Sequence, residues 1–481
     1  MQRTLFYLPH ELFGVPLFGA GWLLLALVIG FAAWLYRTHR DPTKRVVDEL
    51  SQNGLVWAIA AAAILLLLPS VEIRSVGGEP IGVAVRGYGV FLLAGVVSGI
   101  ALALYRASRA GVPADDIFGL AMWLFVGGIG GARLFYIIEY RSDFLTGDLI
   151  TTAGKMLDFT RGGLVVYGSI IGGTIAMFGF VYRTWTKRQR GGPGSRPVSR
   201  TGVTSKPTPT QAVPPSSVSS YTSGSYTTAV LRMGDVVVPC LFLGIFFGRI
   251  GCLMNGCCYG GRCEDVPWAL QFPPGSPVYS EQIATGELLG LELENVTGET
   301  GPGGRVSAVE ANSPADREGI KVGSFVSQIY PVRPDEDQLD PRLPEDDSSQ
   351  FNVVAVVDAR PVIWTADQLP DQALAVSPAQ LISSGSGLLI CLLLLTLSGL
   401  FRFPPGVLMA TGFAVYALAR FGEEMVRTDE PGQFGTQFSI SQWISMIILP
   451  AAILSIIYIY WKRPTDVAAV NDTNPGTGTE S

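Results

Sequence analysis

Nine apolar runs, each near the ~20 residues a helix needs to cross a bilayer, dominate the sequence at 16–36, 55–70, 88–107, 118–138, 165–182, 236–254, 384–401, 406–425 and 441–461. Hydrocarbon offers no partner to backbone N–H and C=O groups, so runs of this length must satisfy themselves as helices. The expected fold is an all-α polytopic membrane protein with about nine transmembrane helices. A content of 48% hydrophobic and 15% charged residues fits that class and not a soluble multidomain chain. The first run ends in Tyr36-Arg37-Thr38-His39-Arg40 without a small-residue cleavage site, which reads as a retained helix and not a signal peptide.

Lysine and arginine in the loops set the expected orientation. The 37–53 loop carries Arg37, Arg40, Lys44 and Arg45, and the stretch 183–232 carries eight cations without one acidic residue. By the positive-inside rule both are cytoplasmic, which puts the N-terminus outside and the Lys462-Arg463 end inside. A net charge of −6 with no basic stripe argues against a nucleic-acid partner. The only histidines, His10 and His39, lie far from the polar clusters described below, which argues against histidine acid–base chemistry and histidine metal sites.

Two long pieces interrupt the helices. Residues 187–229 are rich in Ser, Thr, Pro and Gly, and read as a disordered cytoplasmic linker. Residues 262–375 are acidic and contain strand-like runs at Arg305–Val309 and Asn352–Val357, so a small β-rich extracytoplasmic insertion is expected. That insertion resembles a bacterial-type PDZ domain through Leu289-Gly290-Leu291-Glu292-Leu293, Val306–Val309 and Asn312-Ser313-Pro314-Ala315-Asp316-Arg317-Glu318-Gly319-Ile320-Lys321-Val322-Gly323. The resemblance implies an edge that takes an extended peptide as an added strand; a spacer with an idle groove is the other reading. Phe325–Ile329 and Asp358–Val362 would supply further strands, with Arg333–Gln350 as an acidic insertion.

The chemistry centres on Gly248-Arg249-Ile250-Gly251-Cys252-Leu253-Met254-Asn255-Gly256-Cys257-Cys258-Tyr259-Gly260-Gly261, at the end of the sixth run. An ionisable group at membrane depth is costly and is kept where it faces a bundle interior or a wet cavity. Arginine, an amide and Gly-rich backbone together make a phosphate site, because guanidinium presents a planar fork of donors. An arginine snorkelling at a helix end is the bland alternative. Arg86-Gly87-Tyr88-Gly89 opens the third run, Gly130-Gly131-Ala132-Arg133 lies in the fourth, and Arg161–Gly168, with Tyr167, leads into the fifth. Asp235 opens the sixth, where a carboxylate suits a helix N-terminus. Arg420, Glu423, Glu424 and Arg427 close the eighth. Under the expected orientation the Arg86–Tyr88, Tyr167, Arg249–Asn255 and Arg420–Arg427 groups all lie toward the outer leaflet, which points to a phospholipid headgroup as ligand.

These residues resemble the prolipoprotein diacylglyceryl transferase family, whose loop matches Gly248–Gly260 in a variant with cysteines, and whose other segments match Arg86–Gly89, Gly162–Gly168, Asp235, Arg420–Arg427 and Asp429 in order. Pro273–Pro277 and Ser377–Leu381 match two outer-face segments. The resemblance implies a multi-pass enzyme of the bacterial inner membrane. It would transfer the diacylglyceryl group of phosphatidylglycerol to the lipobox cysteine of prolipoprotein signal peptides, with no cofactor or metal. It implies Arg249 and Arg420 as phosphate-charge stabilisers, with Glu424 orienting and Tyr167 in the catalytic set. Arg86, Tyr88, Gly248, Asn255, Gly260 and Arg427 would bind substrate. The family has seven spans, so residues 1–81 would be an N-terminal addition of two helices. Residues 82–280 and 374–465 would form the core, 281–373 the PDZ-like insertion, and 466–481 a disordered tail.

The chain departs from the family where many members carry histidine: it has Tyr167, and Ser377 in a second such position. Tyrosine is a poor base at neutral pH, with an ordinary pKa of about 10, so either it donates a hydrogen bond, or nearby arginines lower its pKa, or the thiol loses its proton elsewhere. Cys252 and Cys257 stand where other members have Asn and Glu. The spacing Cys252-x4-Cys257-Cys258-x4-Cys263 lacks paired CxxC units, which favours plain packing over a metal site and leaves a disulfide through Cys263 open. Cys240 and Cys391 sit in apolar runs and read as packing. Two rival functions remain: a lipid or anion transporter with a regulatory outer domain, for which no inverted repeat is found, and a thiol oxidoreductase, which would want the missing CxxC.

Overall fold

The computed structural model describes residues 4–40, 46–141, 156, 166–190, 220–222, 224–263, 266–298, 301–335, 338–344, 347–426 and 435–462. Seven described helices are long and apolar enough to cross a membrane: Trp22–Arg40, Asn53–Val71, Gly87–Ala110, Ala114–Glu139, Tyr226–Asn255, Ala379–Leu400 and Ile440–Trp461. Two more, Val166–Arg190 and Val407–Val426, fall at expected runs but do not reach that measure of length and apolarity. The first is diluted by Gly, Ser and Thr, and the second carries Arg420, Glu423 and Glu424. The protein is a polytopic, mostly helical membrane protein with a β-rich insertion.

The chain divides into two compact units, one of Met1–Leu93, Gly248–Ile382 and Val426–Glu430, the other of Ala94–Phe247, Ser383–Met425 and Pro431–Ser481. In the first unit the run expected as a helix from residue 16 becomes helical only at Trp22. Before it, Thr4–Pro9 forms a strand on Pro80–Arg86, which also pairs with Ile73–Arg74 in a three-stranded antiparallel sheet. This sheet has no signature in the sequence, because its long-range pairing leaves no local period in so short a strand. The insertion is a five-stranded antiparallel sheet whose strands, in spatial order, are Arg360–Trp364, Asn352–Val357, Phe325–Val332, Gly301–Val309 and Leu291–Gly298. The turn between the strands at 357 and 360 uses Asp358 and Ala359, both with positive φ, as a two-residue hairpin of right-handed twist requires. Its core joins Val306, Val326, Val353, Ala355 and Trp364 to Val278, Ile283, Leu288 and Leu289 of the preceding segment. The acidic loop does not float: Val76 N–H donates to Leu343 O (3.0 Å) and Gly77 N–H to Pro341 O (3.1 Å), so the N-terminal segment grips it.

In the second unit, Ala114–Glu139 and Val166–Arg190 cross at closest backbone approach. A Cβ at Gly131 would stand 2.3 Å from Gly168 O, and one at Gly172 2.1 Å from Gly127 O. Glycines four apart on each helix leave backbone against backbone, the small-residue packing that membrane helices use where lipid removes the hydrophobic drive to associate. The piece expected to be disordered over 187–229 is helical at both margins, through Arg190 and again from Tyr226, while 191–219 and the 466–481 tail lie outside the described residues. One carboxylate pins the two margins: Asp116 Oδ2 accepts from Arg188 Nη2 and from Tyr221 OH, each at 2.7 Å.

Asp235 does not open its helix; it lies ten residues into Tyr226–Asn255. Its carboxylate instead accepts from Gly406 N (2.6 Å) and Met409 N (2.8 Å), which satisfies the orphan N–H groups at the start of Val407–Val426. The sequence places the carboxylate and the helix end it caps 171 positions apart, so propensity alone could not pair them. Four residues on, Pro239 has no N–H to offer the Asp235 carbonyl. Arg106 fills that gap, donating Nη2 to Asp235 O (2.9 Å), Nε to Val236 O (3.1 Å) and Nη1 to Ser398 (2.9 Å). Replacing Asp235 with Ala removes the cap while leaving the Arg106 bonds to backbone intact, and is expected to destabilise the protein by about 1–2 kcal/mol. Thermal unfolding in detergent measures this, and a midpoint equal to wild type would refute the capping role.

Candidate active site

In the first unit the Gly248–Gly261 loop is built by the end of its helix. Gly256, with φ of 72°, ends Tyr226–Asn255 by a Schellman turn, with Gly256 N bonded to Leu253 O (3.2 Å) and Cys257 N to Cys252 O (3.1 Å). A Cβ at Gly256 would also press Phe272 and Ser276 at 3.0 Å, so only glycine suits this position. Beyond the turn the 375–380 segment clamps the loop. Gly260 N donates to Ser377 O (2.9 Å), Ser377 N to Gly261 O (3.0 Å), and Gln380 Nε2 to Cys257 O (2.9 Å). Gly260 is buried against Ser377, whose Cβ would lie 2.8 Å from a side chain there. Its role in the structure is thus close packing of this clamp.

The structure brings the Arg86–Tyr88 group to this loop. Arg86 ends its strand, and the next helix starts at Gly87. Gly87 packs on Met254, and Tyr88 covers Gly251, where an added Cβ would meet its ring at 3.3 Å. Asn255 is the last residue of the Tyr226–Asn255 helix, and the Cys257 thiol two residues on donates to Cys252 O (3.7 Å). Gly248 lies on the helix one residue before Arg249, with open space around its Cα. Arg249 is half-buried and makes no hydrogen bond or ion pair among the described residues. A groove of about 500 Å³ runs beside the group, walled by Val71, Ile73, Val85, Val90 and Leu93, with Arg86 the one charged side chain among the described residues that line it.

In the second unit Arg420 is held by three groups of its own surroundings. Its Nη2 stands 2.8 Å from Glu424 Oε2 and 3.0 Å from Ser441 Oγ, and Nη1 stands 3.8 Å from Glu423 Oε2. Glu424 is only 4% exposed, and its Oε1 has no hydrogen-bond partner among the described residues. Glu423 accepts from the Ser383 and Ser386 hydroxyls, which fixes its carboxylate beside the guanidinium. This serine clamp is not legible in the sequence: in an apolar helix, Ser383 and Ser386 read as neutral fillers, and only their facing of Glu423 gives them a role. Tyr167 lies in the first turn of Val166–Arg190 and its side chain lies outside the described residues, as does all of Arg427. Buried Arg133, also noted in the sequence, donates Nε to Met156 O (3.0 Å). All six cysteines are free thiols, so the disulfide left open at Cys263 is not formed; Cys240 and Cys391 are buried packing residues as expected.

The family of prolipoprotein diacylglyceryl transferases matches residues 79–190 and 218–458, which take in both the loop and the Arg420–Glu424 helix. The chain belongs to the prolipoprotein diacylglyceryl transferase family. A phosphatidylglycerol–prolipoprotein diacylglyceryl transferase of Rhodopirellula baltica is 36% identical over 99% of this chain and 92% of its own length. Proteins of the same name from Acaryochloris marina and Clostridium tetani are 29% and 28% identical, over 46% and 38% of this chain and 59% and 54% of their own lengths. The first comparison spans the N-terminal segment and the β-rich insertion as well as the core; the other two cover less than half of the chain. These relatives are transferases, and the transporter reading is not favoured.

Proposed function

We propose that the chain carries the diacylglyceryl group of phosphatidylglycerol to the lipobox cysteine thiol of exported prolipoproteins, forming a thioether and releasing glycerol phosphate, the first step of lipoprotein maturation. The family match across loop and helix together carries the reading. The site must hold a phosphate, stabilise its charge as the C–O bond breaks, and bring a thiolate in line. Arg249, half-buried without a partner among the described residues, and Arg420 are assigned to the phosphate. Glu424 and the serine-clamped Glu423 fix the direction of the Arg420 fork. Arg86, Tyr88, Gly248, Asn255 and Gly260 shape the headgroup site, Arg427 adds a further cation, and Tyr167 serves as a hydrogen-bond donor. The apolar groove at Arg86 supports a lipid as donor substrate, since one cation and hydrocarbon walls match a headgroup and an acyl chain.

Nine spans, with the N-terminus outside and the C-terminus in the cytoplasm, would set these groups toward the outer leaflet. The insertion would then stand outside as a PDZ-like module that takes an extended peptide at a strand edge. Purified protein with phosphatidylglycerol and a lipobox peptide is expected to release glycerol phosphate and yield a peptide heavier by one diacylglyceryl group. The Cys→Ser peptide should stay unmodified. Folded protein that modifies neither would sink the proposal. Removal of residues 285–372 is expected to leave turnover of a short peptide unchanged while altering choice among full prolipoproteins; unaltered choice would make the module a spacer.

A further inference from the structure

The sulfurs of Cys252, Cys257 and Cys258 all lie within 4.8 Å of one another. The Schellman turn accounts for two of them, because it brings the residue after its glycine back over the last helical turn. It does not account for the third. Cys258 takes a left-handed φ of 58°, a conformation that costs an L-residue roughly 1–2 kcal/mol. Its sulfur nonetheless stands with both others, although a thiol is a weak hydrogen-bond partner and offers little in return. Cys252 and Cys257 are half-buried and Cys258 is exposed, so the group opens on one side. Tyr88 covers Gly251, the residue before Cys252, which places the group beside the candidate headgroup residues.

We propose that these three residues, as thiolates, hold one zinc ion, and that its open fourth position takes the cysteine thiol of the protein substrate. The second half rests on the transferase reading. Zinc bound to thiolates at ~2.3 Å in tetrahedral geometry sets sulfurs ~3.8 Å apart, so the group needs to contract by no more than about an ångström. Four thiolates make a closed structural site, whereas three protein ligands leave a position for substrate. Cys263, the fourth cysteine of the stretch, is not part of the group. A thiol on zinc gives up its proton, which answers the absence of histidine from the positions of Tyr167 and Ser377. The proton passes to water on binding. The sulfur lone pair then forms the C–S bond while the C–O bond breaks, and that electron pair leaves with glycerol phosphate.

Cobalt(II) titrated into chelator-treated, reduced, full-length protein tests the site. The expected result is a thiolate-to-cobalt charge-transfer absorption saturating at one equivalent and bleached by zinc. Cys257→Ser and Cys258→Ser should each remove it, while Cys263→Ser keeps it. A lipobox peptide should change the cobalt spectrum, and its Cys→Ser form should not. Chelator should slow turnover about 10²-fold, with recovery on adding zinc. A wild-type protein without the absorption, a disulfide mapped between any two of the three, or a copper(I) site saturated by three sulfurs would overturn the proposal. A cobalt spectrum blind to the cysteine peptide would overturn the substrate half. Glycerol phosphate release from the same preparation separates the failures: release without any metal effect refutes the zinc, and a cobalt site without release refutes the transferase reading.

Discussion

Turnover of the Arg420→Lys protein is expected to fall about 10²–10³-fold, the usual loss when one donor to a developing anion is removed. Lysine is the informative replacement. Alanine would leave Glu424, 4% exposed, as a buried charge without its cation, a change worth about 3–5 kcal/mol of stability that would blur any reading of activity. Lysine keeps the charge Glu424 needs but loses the planar fork, which here reaches Glu424 and Ser441 with one nitrogen and faces Glu423 with the other. The loss should fall on kcat more than on KM, since charge on the phosphate grows as the C–O bond breaks. Initial rates of glycerol phosphate release, taken beside a thermal melt, measure it. Wild-type rates from a protein that melts normally would remove Arg420 from the chemistry.

The second large effect concerns folding. Gly172→Leu is expected to abolish the yield of monodisperse protein after extraction into detergent. Its Cβ alone would lie 2.1 Å from Gly127 O and 2.9 Å from Gly131 Cα, and neither is a side chain that can turn away. The Ala114–Glu139 and Val166–Arg190 helices would have to separate along their crossing, well beyond the ~1–3 kcal/mol typical of overpacking with side chains. The neighbouring Gly173 is the control, since its nearest atom is Leu124 Cδ2 at 4.0 Å. Gly173→Leu should extract and elute as wild type. Equal behaviour of the two variants in size-exclusion chromatography would show that the crossing is not held by backbone contact.

Much of this could be read without coordinates, and for a definite reason. Membrane spans declare themselves in a single local quantity, apolar length, and seven expected runs are helices that meet it. Strands at Asn352–Val357 and across Arg305–Val309 stand out by β-branched content. Asp235 shows the limit. Its residue type correctly announces a cap, but the helix it caps belongs to another part of the chain, and only packing chooses it. Likewise the chemical need at Pro239 is visible in sequence, whereas the identity of Arg106 as the donor is not.

Read without coordinates, the chain already shows that it spans a membrane, that it resembles the diacylglyceryl transferases, and which loop and which helix carry Arg249 and Arg420. Those properties are written in local pattern, where neighbours along the chain suffice. Tertiary structure alone decided that Glu423 is clamped by Ser383 and Ser386, that Thr4–Pro9 pairs with Pro80–Arg86, and that three of four clustered cysteines face one another while Cys263 stands apart. Each is a contact between side chains or strands whose direction is set by packing, and no spacing along the chain encodes where a sulfur or a carboxylate will point.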